Sequence, residues 1–137
     1  PVRDGMDIVL IALDTESGEL QFAGANNPIY LVRNKELTIL KADKQPIGSY
    51  SEDTKPFTNN VIKVEKGDCI YLFTDGYADQ FGGPDGKKFK YKQLQEILLE
   101  NCALPMPQQE LILKQRFIDW MGNLEQVDDV CLIGFRI

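Results

Sequence analysis

Two hydrophobic periods divide this chain, and the point where one gives way to the other most constrains its fold. Residues 7–74 read as successive antiparallel strands separated by short turns, and the C-terminal third changes to helical spacing. The run "DIVLIALD" is continuously apolar, the pattern of a strand buried on both faces. "TESGE" turns around Gly18, and "LQFAG" returns as its partner strand. "IYLVRN" and "LTIL" predict a second hairpin across "NKE". Residues 41–60, "KADKQPIGSYSEDTKPFTNN", hold two prolines and no period, and are expected to form a long loop or flap over one side. "NVIKVEKGDCIYLFTDG" is again strand, turn at Lys66-Gly67-Asp68, strand. Beyond it, Tyr91, Leu94, Ile97 and Leu98 share one helical face, as do Leu113, Phe117, Trp120 and Met121. Pro107 suits a first helical turn and Gly122 a C-terminal stop, with "ALPMP" joining the two helices. "VCLIGFRI" closes the chain as one more strand.

Hairpins, then two helices, then a strand do not alternate as βαβ units do. The expected class is therefore α+β, with mainly antiparallel sheets and helices covering one face. That weighs against Rossmann, P-loop and flavodoxin-like folds, and no GxxxxGK[ST] or helix-opening GxGxxG is present. A length of 137 residues, 43% of them hydrophobic, suits a single modest domain. The net charge of −6, with no basic patch that stands out, argues against nucleic acid as a partner. The longest apolar run, "IVLIAL", falls far short of the roughly 20 residues of a membrane helix, and no signal peptide is visible. Cys69, Cys102 and Cys131 are widely spaced without a CxxC, and read as reduced, small core residues in a cytosolic compartment. The opening "PVRDGMDIVLIALD" has no initiator Met and enters a strand almost at once, as expected of a piece cut from a longer protein.

The chain contains no histidine, which excludes Ser-His-Asp, Cys-His and HExxH chemistry. Catalysis must then run on carboxylates, on metal ions, or on a Lys or Cys nucleophile. The apolar strand "IYLF" runs straight into Asp75, with Gly76 letting the backbone turn and Asp79 four residues on. Asp128 and Asp129 precede the final strand in the same way that Asp75 follows an earlier one. If the two strands are antiparallel neighbours, Asp75 and Asp128 face each other at a sheet edge. Hard oxygen ligands so placed select Mg²⁺ or Mn²⁺, and a two-metal site can activate water for attack on phosphorus. The same residues also suit plain strand ends, because Asp competes for local backbone hydrogen bonds. On the residues alone the two readings stand level. An EF-hand is excluded by Tyr77 and Gln80 at its third and sixth positions, and aspartyl-phosphate chemistry by Tyr77 two residues after Asp75.

"GDCIYLFTDGYAD" followed by "QVDDVCLIGFRI" resembles the C-terminal half of the PPM (protein-phosphatase-2C-type) metal-dependent Ser/Thr phosphatases, in particular the bacterial SpoIIE-like and RsbU-like branch. "GELQFAGANNPIYLVRN" and "QPIG" are similar to further segments of that branch, so the likeness runs over essentially the whole chain. It implies an antiparallel β-sandwich flanked by helices, truncated on its N-terminal side, with residues 1–137 forming one partial domain. It implies a phosphoserine/phosphothreonine phosphatase using two Mn²⁺ or Mg²⁺ ions. Asp75 and Asp128 would be the catalytic metal ligands, within a metal-site set of Asp75, Gly76, Asp79, Asp128 and Asp129. Asp79 would serve a further metal or its water, and Asp129 would lie behind Asp128. Asp4 and Asp7 stand where some relatives place another acid. Relatives often carry His where this chain has Asn26 and Asn27, which cannot titrate. The family's first metal-bridging Asp-Gly motif would lie upstream of residue 1, so this stretch alone is expected to bind metal weakly and to lack activity, or to pair as a dimer through the exposed sheet edge. In that branch the phosphatase usually sits behind a sensor or helical module, which tethers some parents to a membrane. It acts there on a small phosphorylated regulatory protein, often an anti-sigma-factor antagonist. Substrate choice is expected in the 41–60 flap and the "QFGGPDGKKF" loop. The alternative is a non-catalytic PPM-like interaction domain.

Overall fold

The structure is a computed structural model that describes residues 4–48 and 55–137. Strands β1 (Ile8–Asp14), β2 (Glu19–Ala25) and β5 (Asn60–Lys63) form a three-stranded antiparallel sheet in the order β1-β2-β5. Strands β3 (Ile29–Arg33), β4 (Glu36–Leu40), β6 (Cys69–Phe73) and β9 (Leu132–Arg136) form a four-stranded antiparallel sheet in the order β4-β3-β6-β9. A two-residue hairpin, β7 (Phe81–Gly82) and β8 (Lys87–Lys88), follows β6, and helices α1 (Tyr91–Asn101) and α2 (Met106–Met121) precede β9.

Period-two alternation divides the apolar residues into two cores. Ile29, Leu31 and Ile70 face the three-stranded sheet and pack against Leu20, Phe22 and Val64. Tyr30, Val32, Cys69, Tyr71 and Phe73 face the other way, onto Leu94, Ile97, Leu98 and Leu113 of the helices. The result is an α+β sandwich with helices on one side. The strands buried on both faces are thus β3 and β6, at the middle of the four-stranded sheet. The expectation for β1 is corrected: Val9, Ile11 and Leu13 turn inward, but Leu10 on the opposite face is 70% exposed. As an edge strand whose outer face meets no helix among the described residues, β1 cannot bury both sides of its apolar run.

Turn chemistry follows the sequence closely. Gly18 has φ +71°, and the Asp14 carboxylate accepts the amides of Glu16 and Ser17. Asn34 and Lys35 both take positive φ, as a two-residue type I′ hairpin turn requires. The Lys66-Gly67-Asp68 turn does not close a hairpin. It carries the chain from one sheet to the other, pinned by Asp68, which is 2% exposed and held by Arg33 through a two-pronged pair at 2.9 and 2.6 Å. The base of the predicted flap is tied down as well: Asp43 takes the amide and hydroxyl of Thr58, and Gln45 binds the Lys55 backbone. Residues 49–54 of that flap lie outside the described residues.

Candidate metal centre

Strands β6 and β9 pair antiparallel, with Phe73 opposite Leu132, so the end of one lies beside the start of the other. Thr74 continues the join past both strands. Its amide donates to the Cys131 carbonyl at 3.0 Å, its hydroxyl donates to the Asp129 carbonyl at 3.3 Å, and that hydroxyl accepts the Cys131 amide at 3.2 Å. Gly76 then passes directly under the Asp129 backbone: an added Cβ would overlap the carbonyl oxygen and lie 2.9 Å from its carbon. Its φ is not positive, so the glycine serves close approach of two chain segments rather than an unusual turn.

This clamp brings Asp75 and Asp128 together. The carboxyl of Asp75 titrates above the ordinary aspartate range because of local desolvation first, then a hydrogen bond and charge from Asp128, then the charge of Asp79. Asp79 stays close because Asp75–Asp79 forms one turn, with the Asp79 amide donating to the Asp75 carbonyl at 2.9 Å. Asp129 is drawn in through its backbone only; its amide caps the Asp128 carboxylate at 2.8 Å. Asp7 is engaged elsewhere, accepting the Asn26 side-chain amide at 2.9 Å, and no hydrogen bond or ion pair among the described residues links Asp4 or Asp7 to Asp75. Asn26 has a fixed structural part: it sits at φ +62°, a region Asn tolerates, and donates its backbone amide to Asp43.

Several supporting residues escaped sequence reasoning. Tyr77 and Ala78 are buried, and Tyr77 packs on Phe89 and Phe117 while its hydroxyl donates to the Leu113 carbonyl. Gln80, fully buried, donates to the Glu125 carbonyl at 2.9 Å and so ties the Asp75 turn to the segment that leads into Asp128. Tyr91, first residue of α1, stands close enough that burial and the charges of Asp75 and Asp79 push its hydroxyl up to about 12. A polar residue in a loop carries no signal that it is buried, so Gln80 was not legible. Tyr91 was read only as part of a helical face.

The donor chemistry fits a hard divalent cation, since such an ion would relieve the charge of Asp128 that holds the Asp75 carboxyl up. Among the described residues, no three Asp, Glu, His or Cys side chains converge as a metal cage.

This antiparallel sandwich with helices on one face is the fold of PP2C-type phosphatase domains. The sequence matches the Stage II sporulation protein E (SpoIIE) family over residues 3–137, and the chain belongs to that family. It is similar to the SiaA-PP2C domain of Pseudomonas aeruginosa, at 28% identity and a TM-score of 0.88, over 96% of this chain and 51% of that one. The fold is also shared with the RsbU and RsbW domains of a Mycobacterium tuberculosis protein (21% identity, TM-score 0.74, 95% of this chain and 35% of that one). A further likeness is the PP2C phosphatase domain with a regulatory fragment of SpoIIE from Bacillus subtilis (18%, TM-score 0.72, 96% and 37%). The chain therefore spans about half of the SiaA domain and less of the other two. Among curated protein sequences no match is found. No helix among the described residues is long and apolar enough to cross a membrane.

Proposed function

We propose that this chain forms the C-terminal part of a Mn²⁺- or Mg²⁺-dependent phosphoserine/phosphothreonine phosphatase domain in bacterial signalling. The observation that carries the reading is the pairing of the Asp75 and Asp128 carboxyls across the joined ends of β6 and β9. A structural relative, RsbX, was solved in complex with magnesium; its 15% identity and TM-score of 0.64, over 95% of this chain and 55% of that one, make it a likeness of fold. Asp75 and Asp128 would hold the cation, with Asp79 orienting water beside it. Bound there, a divalent cation supplies a water acidic enough to attack phosphorus and offsets the charge that develops in transfer. Thr74 and Gly76 keep the two carboxyls in register, Gln80 holds the 125–128 segment in place, and Tyr91 closes one wall. Upstream residues of the parent protein would complete the ligand set. The substrate would be a phosphorylated regulatory protein, an anti-sigma-factor antagonist being the expected kind, and the parent would carry a sensor or helical module and work in the cytoplasm.

The test is hydrolysis of para-nitrophenyl phosphate and of a phosphoserine peptide by the full-length protein with added Mn²⁺. Activity should vanish with chelator and with Asp75→Asn. Turnover indifferent to both would refute the metal role, and a well-folded full-length protein with no turnover at all would leave the non-catalytic interaction domain as the better reading.

A further inference from the structure

The phosphate that the proposed function requires is a dianion, and it must pass Asp79 to reach the Asp75–Asp128 pair, whose charge a bound cation would offset. A cation at the rim, beside Asp79, would favour that approach and hold the anion as it docks. Among the described residues, the cluster makes one ion pair, between Asp79 and Lys88 of β8, at 3.4 Å. Lys88 is about half exposed, and its ammonium also stands 5.8 Å from the centre of the Phe81 ring. A surface pair of this length is worth little by itself, about 0–1 kcal/mol, so Lys88 is free to change partner.

Its position, by contrast, is fixed by design of the hairpin. Trp120 of α2 accepts the Gly83 amide at 2.8 Å and donates its indole N–H to the Gln80 carbonyl at 2.9 Å. A side chain at Gly83 would meet the Trp120 ring at 2.5 Å, and one at Gly82 would overlap the Trp120 backbone. Phe89, directly after β8, packs edge-on against the same indole at 5.3 Å. The strand carrying Lys88 is thus bolted to α2 next to the carboxylates. The surrounding sequence is also cationic: four of the chain's 15 lysines and arginines, Lys87, Lys88, Lys90 and Lys92, fall within six positions, and all four are exposed. That concentration was diluted in the overall charge of −6.

We infer that the β7–β8 hairpin and the start of α1 form the docking edge for an anionic, phosphorylated segment of a protein substrate, with Lys88 leaving Asp79 to bind the phosphate itself. This rests on the phosphatase reading for turnover but not for binding. Lys88 is a substrate-binding residue, and Asp79 is its resting partner.

The experiment measures, on the full-length protein, fluorescence anisotropy of a labelled phosphoserine peptide with acidic flanks and of its unphosphorylated twin. Steady-state kinetics on the phosphopeptide run alongside. Lys88→Ala should weaken phosphopeptide binding and raise its KM about tenfold, as loss of a charge-assisted hydrogen bond to phosphate does, with a smaller change in kcat. Lys88→Arg should restore most of both, which a merely structural lysine would not show. Equal affinity of wild type and Lys88→Ala for the phosphopeptide overturns the inference while hydrolysis by wild type leaves the phosphatase reading standing. Lys88-dependent binding without any hydrolysis does the reverse. Binding that ignores the phosphate, with both peptides held equally, also overturns it.

Discussion

Gly76→Ala in the full-length protein tests whether the close approach of two backbone segments builds the site. The added methyl would lie 2.9 Å from the Asp129 carbonyl carbon, nearer still to its oxygen, and 3.3 Å from Val130 Cγ2. Ordinary contact begins near 3.4 Å, so the 128–130 segment must retreat by at least half an ångström, because its backbone cannot rotate away as a side chain can. Overpacking of this kind costs about 1–3 kcal/mol. Loss of the Thr74 hydroxyl bond to Asp129 adds about 1 kcal/mol. Because the carried-off segment holds Asp128, phosphatase kcat/KM should fall about 10- to 100-fold, beyond what the stability loss explains. The control is Gly67→Ala, where a methyl meets open space but φ is +95°. It should cost about 1–2 kcal/mol of backbone strain and leave turnover unchanged. Urea unfolding read by circular dichroism, with para-nitrophenyl phosphate turnover, checks both variants. A Gly76→Ala protein with wild-type midpoint and turnover, or a Gly67→Ala protein with equally damaged turnover, would refute the reasoning.

Two further outcomes follow from charge. Arg33→Ala strips two hydrogen bonds from the buried Asp68 carboxylate and leaves it only the Glu65 amide, which should cost about 3–5 kcal/mol in urea unfolding. Burial raises the Asp68 carboxyl, but its bonds to Arg33 and the Glu65 amide outweigh that and hold it below the ordinary range, so the stability it contributes is present above the unfolded value of about 3.9 and is lost as pH falls through the folded one. An Arg33→Ala penalty that stays constant down to strongly acid pH would contradict this. Asp75 has the opposite sign: its raised value means a contribution present below about pH 3.9 and lost as pH rises through the folded value, so ionisation beside Asp128 opposes folding of the metal-free protein. Metal-free Asp75→Asn should therefore unfold at an equal or higher urea midpoint at neutral pH while losing any stabilisation by Mn²⁺; a lower midpoint without metal would count against it.

The carboxylate pair was legible because it needs only one assumption, that the strands before Asp75 and after Asp128 are neighbours, and β6 and β9 are. The two helices were legible because their apolar spacing matched the face they bury, Leu94, Ile97, Leu98 and Leu113 above all. β1 misled because an apolar run records only that its side chains avoid water, not which layers are present to cover them. The strand pair β7–β8 is too short to show a period, and the switch of sheet between β5 and β6 looks in sequence like any tight turn. Lys88 and Gln80 depend on where Trp120 and the 125–128 segment come to rest, which is a property of tertiary packing. Gly76 was visible as a glycine, but its reason lies in a segment more than fifty positions away along the chain.

That separation has a consequence for how the protein becomes competent. Asp75 and Asp128 lie on opposite sides of α1 and α2 in the sequence, so forming the site closes a loop of about fifty residues. The helices inside that loop make local contacts, whereas the β6–β9 seam joins segments more than fifty positions apart and carries the larger loop-closure cost. A copy in which β9 has not docked presents Asp75 without Asp128 beside it. The topology thus makes completed folding a precondition for the carboxylate pair, and so for the phosphate chemistry proposed for it.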